Sequence, residues 1–181
     1  MTALGQPVID ASPYRLRPFA KGDVALIQEA SSDPQIPLIT TVPSGRSALA
    51  ALSFIERQHQ RLAAGSGYSF AVADAASDLA VGQIGLWLKN ANQWRATLGY
   101  WIAPSCRGKG AASAALKALS NWGLVQPGIH RLELYVEPWN EGSWRAAERC
   151  GYAREGLLRS WQEVGGQRKD MYMYARIRPA R

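Results

Sequence analysis

Apolar and polar residues change period several times along the chain, and each change marks an element. Tyr14 to Phe19 reads as a short strand. Asp23 is a cap residue followed by Val24, Ile27 and Ala30 at helical spacing, which predicts a helix. Residues 31–45 carry Pro34, Pro37 and Pro43 and read as a loop. From Ser47, Leu52, Ile55 and Leu62 predict a second helix that ends at Gly65. The pattern then turns to strands. Residues 68–74 alternate, 79–89 follow the turn signal AASD, and 94–103 follow NANQ, so the three form an antiparallel meander. A helix after Gly110 puts Ala112, Ala115, Leu116, Leu119 and Gly123 on one small apolar face, opposite Ser113, Lys117, Ser120 and Asn121. Residues 130–138 read as a strand. Residues 140–152 form a short helix between an Asn140 cap and Gly151. Gly165-Gly166 closes a final hairpin. The expected order is β-α-α-β-β-β-α-β-α-β-β, a mixed α/β chain with helices on the faces of one sheet. Residues 1–12 are expected to be a loose leader.

With 181 residues the chain is expected to be one domain, 1–181, long enough to bury a core without disulfides or metal. Hydrophobic residues at 47% against 19% charged exclude a disordered chain. No apolar stretch is long enough for a membrane span, and no basic start precedes an apolar block. Cytoplasm is the expected compartment. The net charge of +7 favours anionic partners. The cations are scattered, with clusters no denser than RGKG and QRKD, which points to a diffuse positive surface rather than a nucleic-acid groove.

Candidate chemistry centres on residues 106–123, CRGKGAASAALKALSNWG. Gly108, Lys109 and Gly110 lead straight into a helix N-terminus, where free amides and the dipole favour an anion. An ordinary solvated turn fits the same residues. The stretch is neither a Walker loop nor a complete GxGxxG, since Ser113 stands at the third glycine's place. His59 and His130 lack partners at ligand spacing, so no metal site is expected. Cys106 and Cys150 read as packing residues. Trp87, Trp94 and Trp101 lie on the meander, where an aromatic acceptor pocket would form, with Tyr100 beside them.

These residues resemble a known family. Arg107-Gly108-Lys109-Gly110-Ala111-Ala112 is similar to the R/Q-x-x-G-x-G/A signature of the GNAT superfamily of acyl-CoA N-acyltransferases. NEGSWRAAERCGYAREGLLR (140–159) resembles the downstream pattern of its RimJ/RimL branch, the ribosomal-protein N-terminal acetyltransferases, and GGQRKDMYMYARI resembles that branch's ending. The resemblance covers residues 14–178. It implies a seven-stranded, mostly antiparallel sheet flanked by about four helices, with acetyl-CoA as cosubstrate, an amine as acceptor, and no metal or membrane; a homodimer is compatible with it.

By this resemblance, amides 108–112, with charge from Arg107 and Lys109, hold the pyrophosphate of coenzyme A. The strand through Trp101, Ile102 and Ala103 splays from its neighbour and pairs with pantetheine. Asn140 touches the same arm. A backbone N–H near Ile102 serves as oxyanion donor. The tyrosine that many relatives use to protonate the departing thiolate is replaced by Ala147; the branch instead uses a serine, here Ser143. The carboxylate that many relatives use as a base is replaced by Thr97, leaving Glu133 on the next strand as a weak substitute. An α-amine, with a pKa of about 7.7–8.0 against roughly 10.4 for lysine, needs the least help. The lost glutamate therefore favours such an acceptor: a protein N-terminus, an aminoacyl compound or a small amine. An acyl-CoA-responsive binding module with weak catalysis is the rival reading.

Overall fold

The computed structural model describes residues 6–179. Eight strands form one sheet: β1 (Ile9–Ala11), β2 (Tyr14–Arg17), β3 (Gly67–Asp74), β4 (Ala80–Trp87), β5 (Arg95–Ile102), β6 (Arg131–Val136), β7 (Ala153–Val164) and β8 (Gln167–Ile177). Their spatial order is β1-β2-β3-β4-β5-β6-β8-β7. Five helices accompany them: α1 (Val24–Ala30), α2 (Ile36–Ile39), α3 (Ala48–Ala63), α4 (Ala111–Val125) and α5 (Glu141–Arg149). No helix of the described residues is long and apolar enough to cross a membrane.

Two elements depart from the sequence expectation. The sheet has eight strands rather than seven, because Ile9–Ala11, expected in the loose leader, pairs with β2. Residues 1–5 of that leader lie outside the described residues. The 31–45 segment contains α2, where Asp33 Oδ1 accepts from the N–H groups of Gln35 at 2.8 Å and Ile36 at 2.9 Å. Its proline falls in the first turn, where the missing N–H disturbs no helical bond.

The core lies on both faces of the sheet because strand alternation sends neighbours to opposite sides. Phe70, Val72, Ile84, Leu86 and Leu98 pack with α4 and α5. Ala71, Trp101 and Ala103 pack with α1 and α3. Gly123 lets α4 lie close to the sheet: a Cβ there would stand 2.7 Å from Leu86 Cδ1. Leu86, Leu116, Leu119 and Leu132 are fully buried, and each contributes about 1.5–3 kcal/mol through the apolar surface it removes from water.

The feature that positions the site is a parting in the sheet. Every neighbouring pair is antiparallel except β5–β6, which is parallel. That pairing runs only from Arg95–Arg131 to Thr97–Glu133. Beyond Thr97, β5 continues to Ile102 paired with β4 alone. Half of β5 therefore presents an open main-chain edge inside the sheet.

Candidate active site

The phosphate-loop residues stand at one end of the open edge. A short 3-10 turn, Pro104–Cys106, follows β5 and leads to Gly108 at φ +78° and Gly110 at φ +81°. Both conformations favour glycine over any residue with a Cβ. Gly110 caps α4 without a side chain, and no acceptor among the described residues takes the N–H groups of residues 108–112. A Cβ at either glycine would meet nothing within 4 Å, so the concavity is open. Ala111 is buried and Ala112 half-buried beneath it. Free amides, open space and a helix N-terminus fit a pyrophosphate.

Arg107 departs from expectation. Its Nη2 donates to Asp33 Oδ2 at 2.8 Å and its Nε to the Ile102 carbonyl at 3.1 Å. It ties α2 to the end of β5 instead of standing free as loop charge. Burial would raise the Asp33 pKa, but the amides of Ile36 and Gln35 and the Arg107 guanidinium outweigh it and hold the carboxyl below its ordinary value. Lys109 makes no ion pair among the described residues.

Strand geometry sorts the β5 main chain. Ala103 N–H donates to the Val81 carbonyl at 2.9 Å. Alternation then turns Trp101 toward β4 as well, and Tyr100 and Ile102 toward the open edge. The main-chain groups of Trp101 and Ala103 are thus unavailable for pantetheine, contrary to expectation. Trp101 contributes its ring to the acceptor side, with Nε1 donating to Gln83 Oε1 at 2.6 Å.

Ser143 sits beside Tyr100, midway along the edge, in the first turn of α5, which Asn140 caps by accepting from Ser143 N–H at 3.2 Å. Tyr100 O–H donates to the Ser143 carbonyl at 3.1 Å, and its oxygen lies 2.9 Å from Ser143 Oγ. Burial pushes the Tyr100 phenol up to about 12, so it remains a proton donor near neutrality.

A cleft of about 600 Å³ opens beside this pair. Its floor is β4–β5, with Thr97, Gly99 and Trp101; Asn140, Ser143 and Glu137 form one wall, and Leu38–Thr41 with Arg61 another. Trp87 lies along the floor because Gly85 leaves room: a Cβ at Gly85 would fall 2.1 Å from the Trp87 ring.

Two expected acceptor residues are elsewhere. Trp94 adopts φ +61° in the turn before β5, is 58% exposed, and meets His130 edge-on at 5.2 Å, away from the cleft. Glu133 is fully buried. It accepts from Arg131 Nε at 2.7 Å and Tyr135 O–H at 3.0 Å, and pairs with Arg95 at 3.4 Å. A carboxylate so committed is a structural anchor. The carboxylate that lines the cleft is Glu137, whose Oε2 accepts from Trp139 Nε1 at 2.8 Å. Sequence reasoning missed Glu137; its place three residues before the Asn140 cap was the available signal. It also missed Arg61, which the apolar spacing of the second helix did not single out.

The parted sheet, the glycine loop at a helix mouth and the hydroxyl beside the open edge define an acyl-CoA transferase site. Residues 14–153 match the acetyltransferase (GNAT) domain model, and the chain belongs to that family. It is similar to the uncharacterized N-acetyltransferase p20 of Bacillus licheniformis, 25% identical over 163 residues, 90% of this chain and 92% of that one. Its fold is similar to a GNAT-family acetyltransferase from Bacillus anthracis (TM-score 0.80, 24% identity, covering 95% and 99% of the two chains). It is also similar to RimJ of Mycobacterium smegmatis, solved as a complex with CoA-disulfide (TM-score 0.77, 24% identity, covering 94% and 85%). The chain is an acetyltransferase that takes its acyl group from acetyl-CoA.

Proposed function

We propose that this enzyme acetylates an α-amine or similarly weak amine by direct attack on the thioester, with Ser143 protonating the departing sulfur. The observation that carries this reading is the Ser143 hydroxyl on Tyr100, midway along the open β5 edge. The amides of residues 108–112 and Lys109 hold the pyrophosphate at the loop end of that edge. Pantetheine lies along the edge between them, beside Ile102 N–H and Asn140.

The roles divide along the strand. Two residues span about 7 Å, so Ile102 stands that much nearer the phosphate loop than Tyr100 does. Tyr100 N–H is thus the better-placed oxyanion donor, and Ile102 N–H serves the pantetheine arm; this revises the role expected for Ile102. As the amine nitrogen bonds to the acyl carbon, the carbon–sulfur bond breaks and the Ser143 Oγ–H proton moves to the sulfur, and the serine is reprotonated through water by the proton that the amine releases. Tyr100 O–H turns to Ser143 Oγ and steadies the charge left there. Thr97, on the cleft floor, cannot take the amine's proton near neutrality. Glu137 is the lining carboxylate that can receive it, through water.

The experiment is a thiol-release assay over a panel of α-amines and lysine-like amines, beside calorimetric titration with acetyl-CoA. Preferred turnover of α-amines near neutral pH supports the reading. Tight acetyl-CoA binding with no acetyl transfer to any amine overturns it.

A further inference from the structure

The acceptor cleft holds a cation that no carboxylate among the described residues neutralises. Arg61, on the last turn of α3, is half-buried and lines the cleft. Its guanidinium lies over the Trp87 ring, 4.6 Å from the centroid. Its Nε donates to Gln58 Oε1 at 2.9 Å, and Nη2 stands 3.5 Å from Thr41 Oγ1. Neither partner carries charge, and no carboxylate among the described residues pairs with it.

Its surroundings make this costly. Arg57, one turn earlier on α3, donates through Nη2 to the Thr41 carbonyl at 3.2 Å and likewise lacks a carboxylate among the described residues. Two like charges four residues apart destabilise a helix. Burial and the neighbouring Arg57 both push the Arg61 pKa down from its ordinary value. A partly desolvated, unpaired arginine is expensive unless an anion completes it.

The Arg61 position is fixed from beneath. Gln58 Oε1 also accepts from Ser69 Oγ at 3.0 Å and from Gln83 Nε2 at 3.1 Å, and Gln83 in turn receives Trp101 Nε1. This buried polar network anchors Nε, so the guanidinium is held out over Trp87. Glu137 and Ser143 stand on the wall formed by the residues after β6, and Arg61 on the wall formed by α3 and Leu38–Thr41. An acceptor lying across the cleft meets a carboxylate and the proton donor at one end and a cation at the other.

We propose that the acceptor is a dipolar molecule, an amine bearing a carboxylate or phosphate, whose anionic group is bound by Arg61 while its amine faces Ser143. Trp87 supplies a flat wall for the part between the two. The proposal rests on the acetyl-transfer reading above. It disfavours polycationic acceptors, which Arg61 and Arg57 repel.

The test uses matched acceptors long enough to cross the cleft: a dipeptide with a free C-terminal carboxylate, its C-terminal carboxamide and a counterpart ending in a phosphate, with wild type, Arg61→Gln and Arg61→Lys. Dividing wild-type by variant kcat/KM for each acceptor cancels differences in amine pKa. Loss of a charge-assisted, forked contact lowers kcat/KM roughly 10- to 100-fold. The expected result is such a loss in Arg61→Gln for the anionic acceptors, at least about tenfold larger than for the carboxamide. Arg61→Lys should fall between, since it keeps charge without the planar fork. The carboxylate and phosphate arms show which anion is preferred. Equal losses for charged and neutral acceptors overturn the proposal, as does no loss. Should no acceptor turn over, tryptophan-fluorescence titration of the same compounds in the presence of CoA reads binding directly. Anionic and neutral forms binding equally in wild type then overturn the proposal. Failure of acetyl-CoA itself to bind counts against the acetyl-transfer reading instead.

Discussion

Ser143 and Tyr100 share one hydrogen bond but should respond differently to removal. Ser143→Ala leaves the Asn140 cap in place and deletes the hydroxyl assigned to the sulfur. kcat should fall on the order of 10²-fold, the usual scale for losing a general acid, with acetyl-CoA affinity near wild type by calorimetry. A rise confined to the KM for acetyl-CoA would make the serine a binding group. Tyr100→Phe should lower kcat about tenfold. Because burial raises the Tyr100 phenol to about 12, it stays protonated through alkaline assays. The kcat profile should show no descending limb between about pH 8 and 10. Glu133 gives the contrasting case. Glu133→Gln removes the charge that Arg131 and Arg95 share and should cost about 3 kcal/mol in urea unfolding. The pH–rate profile should keep its shape; a displaced limb would restore Glu133 as a base.

At the scale of elements, the glycine loop and α4 act as a unit. Gly110→Asp places a carboxylate in the proposed pyrophosphate cradle, at a φ that aspartate tolerates better than most residues. Acetyl-CoA should bind at least about tenfold more weakly, since like charges face each other there. Unchanged affinity in a folded variant would remove the cradle. This loop was legible in the sequence because glycines at a helix mouth have a local cause, and so were the meander, the helix from Ser47 and the cap at Asn140. What was not legible depends on distant partners. β1 has only three residues, too few for alternation to show. α2 looked like a proline-broken loop because the capping role of Asp33 is completed by Arg107, 74 residues away. Trp94 carries the pattern of a strand residue, but its left-handed backbone sends the ring out of the meander. Glu133 lies within β6 and Glu137 directly after it, and only tertiary contacts show that the first is buried in ion pairs while the second, missed in the sequence, faces the cleft.

On the scale of the whole molecule, the phosphate loop and the acceptor wall are joined by one ion pair. Arg107 begins the loop, and Asp33 caps the helix whose end, with Thr40 and Thr41, lines the cleft. Asp33→Asn weakens both attachments at once. It should destabilise the protein by about 2 kcal/mol, the scale for hydrogen bonds to a charged group. Its kinetic signature should be raised KM values for acetyl-CoA and acceptor together, because the substitution loosens α2 and frees Arg107. An effect on the acceptor alone would make the pair a local brace. The sign of the pH dependence follows from the lowered Asp33 pKa. The stabilisation is fully present above the ordinary aspartate value of 3.8 and is lost as pH falls through the lower folded value. In paired urea titrations, the gap between wild type and Asp33→Asn should therefore be constant from neutrality to about pH 5 and close only on further acidification. A gap that instead narrowed between pH 6 and 8 would place its origin in some other group.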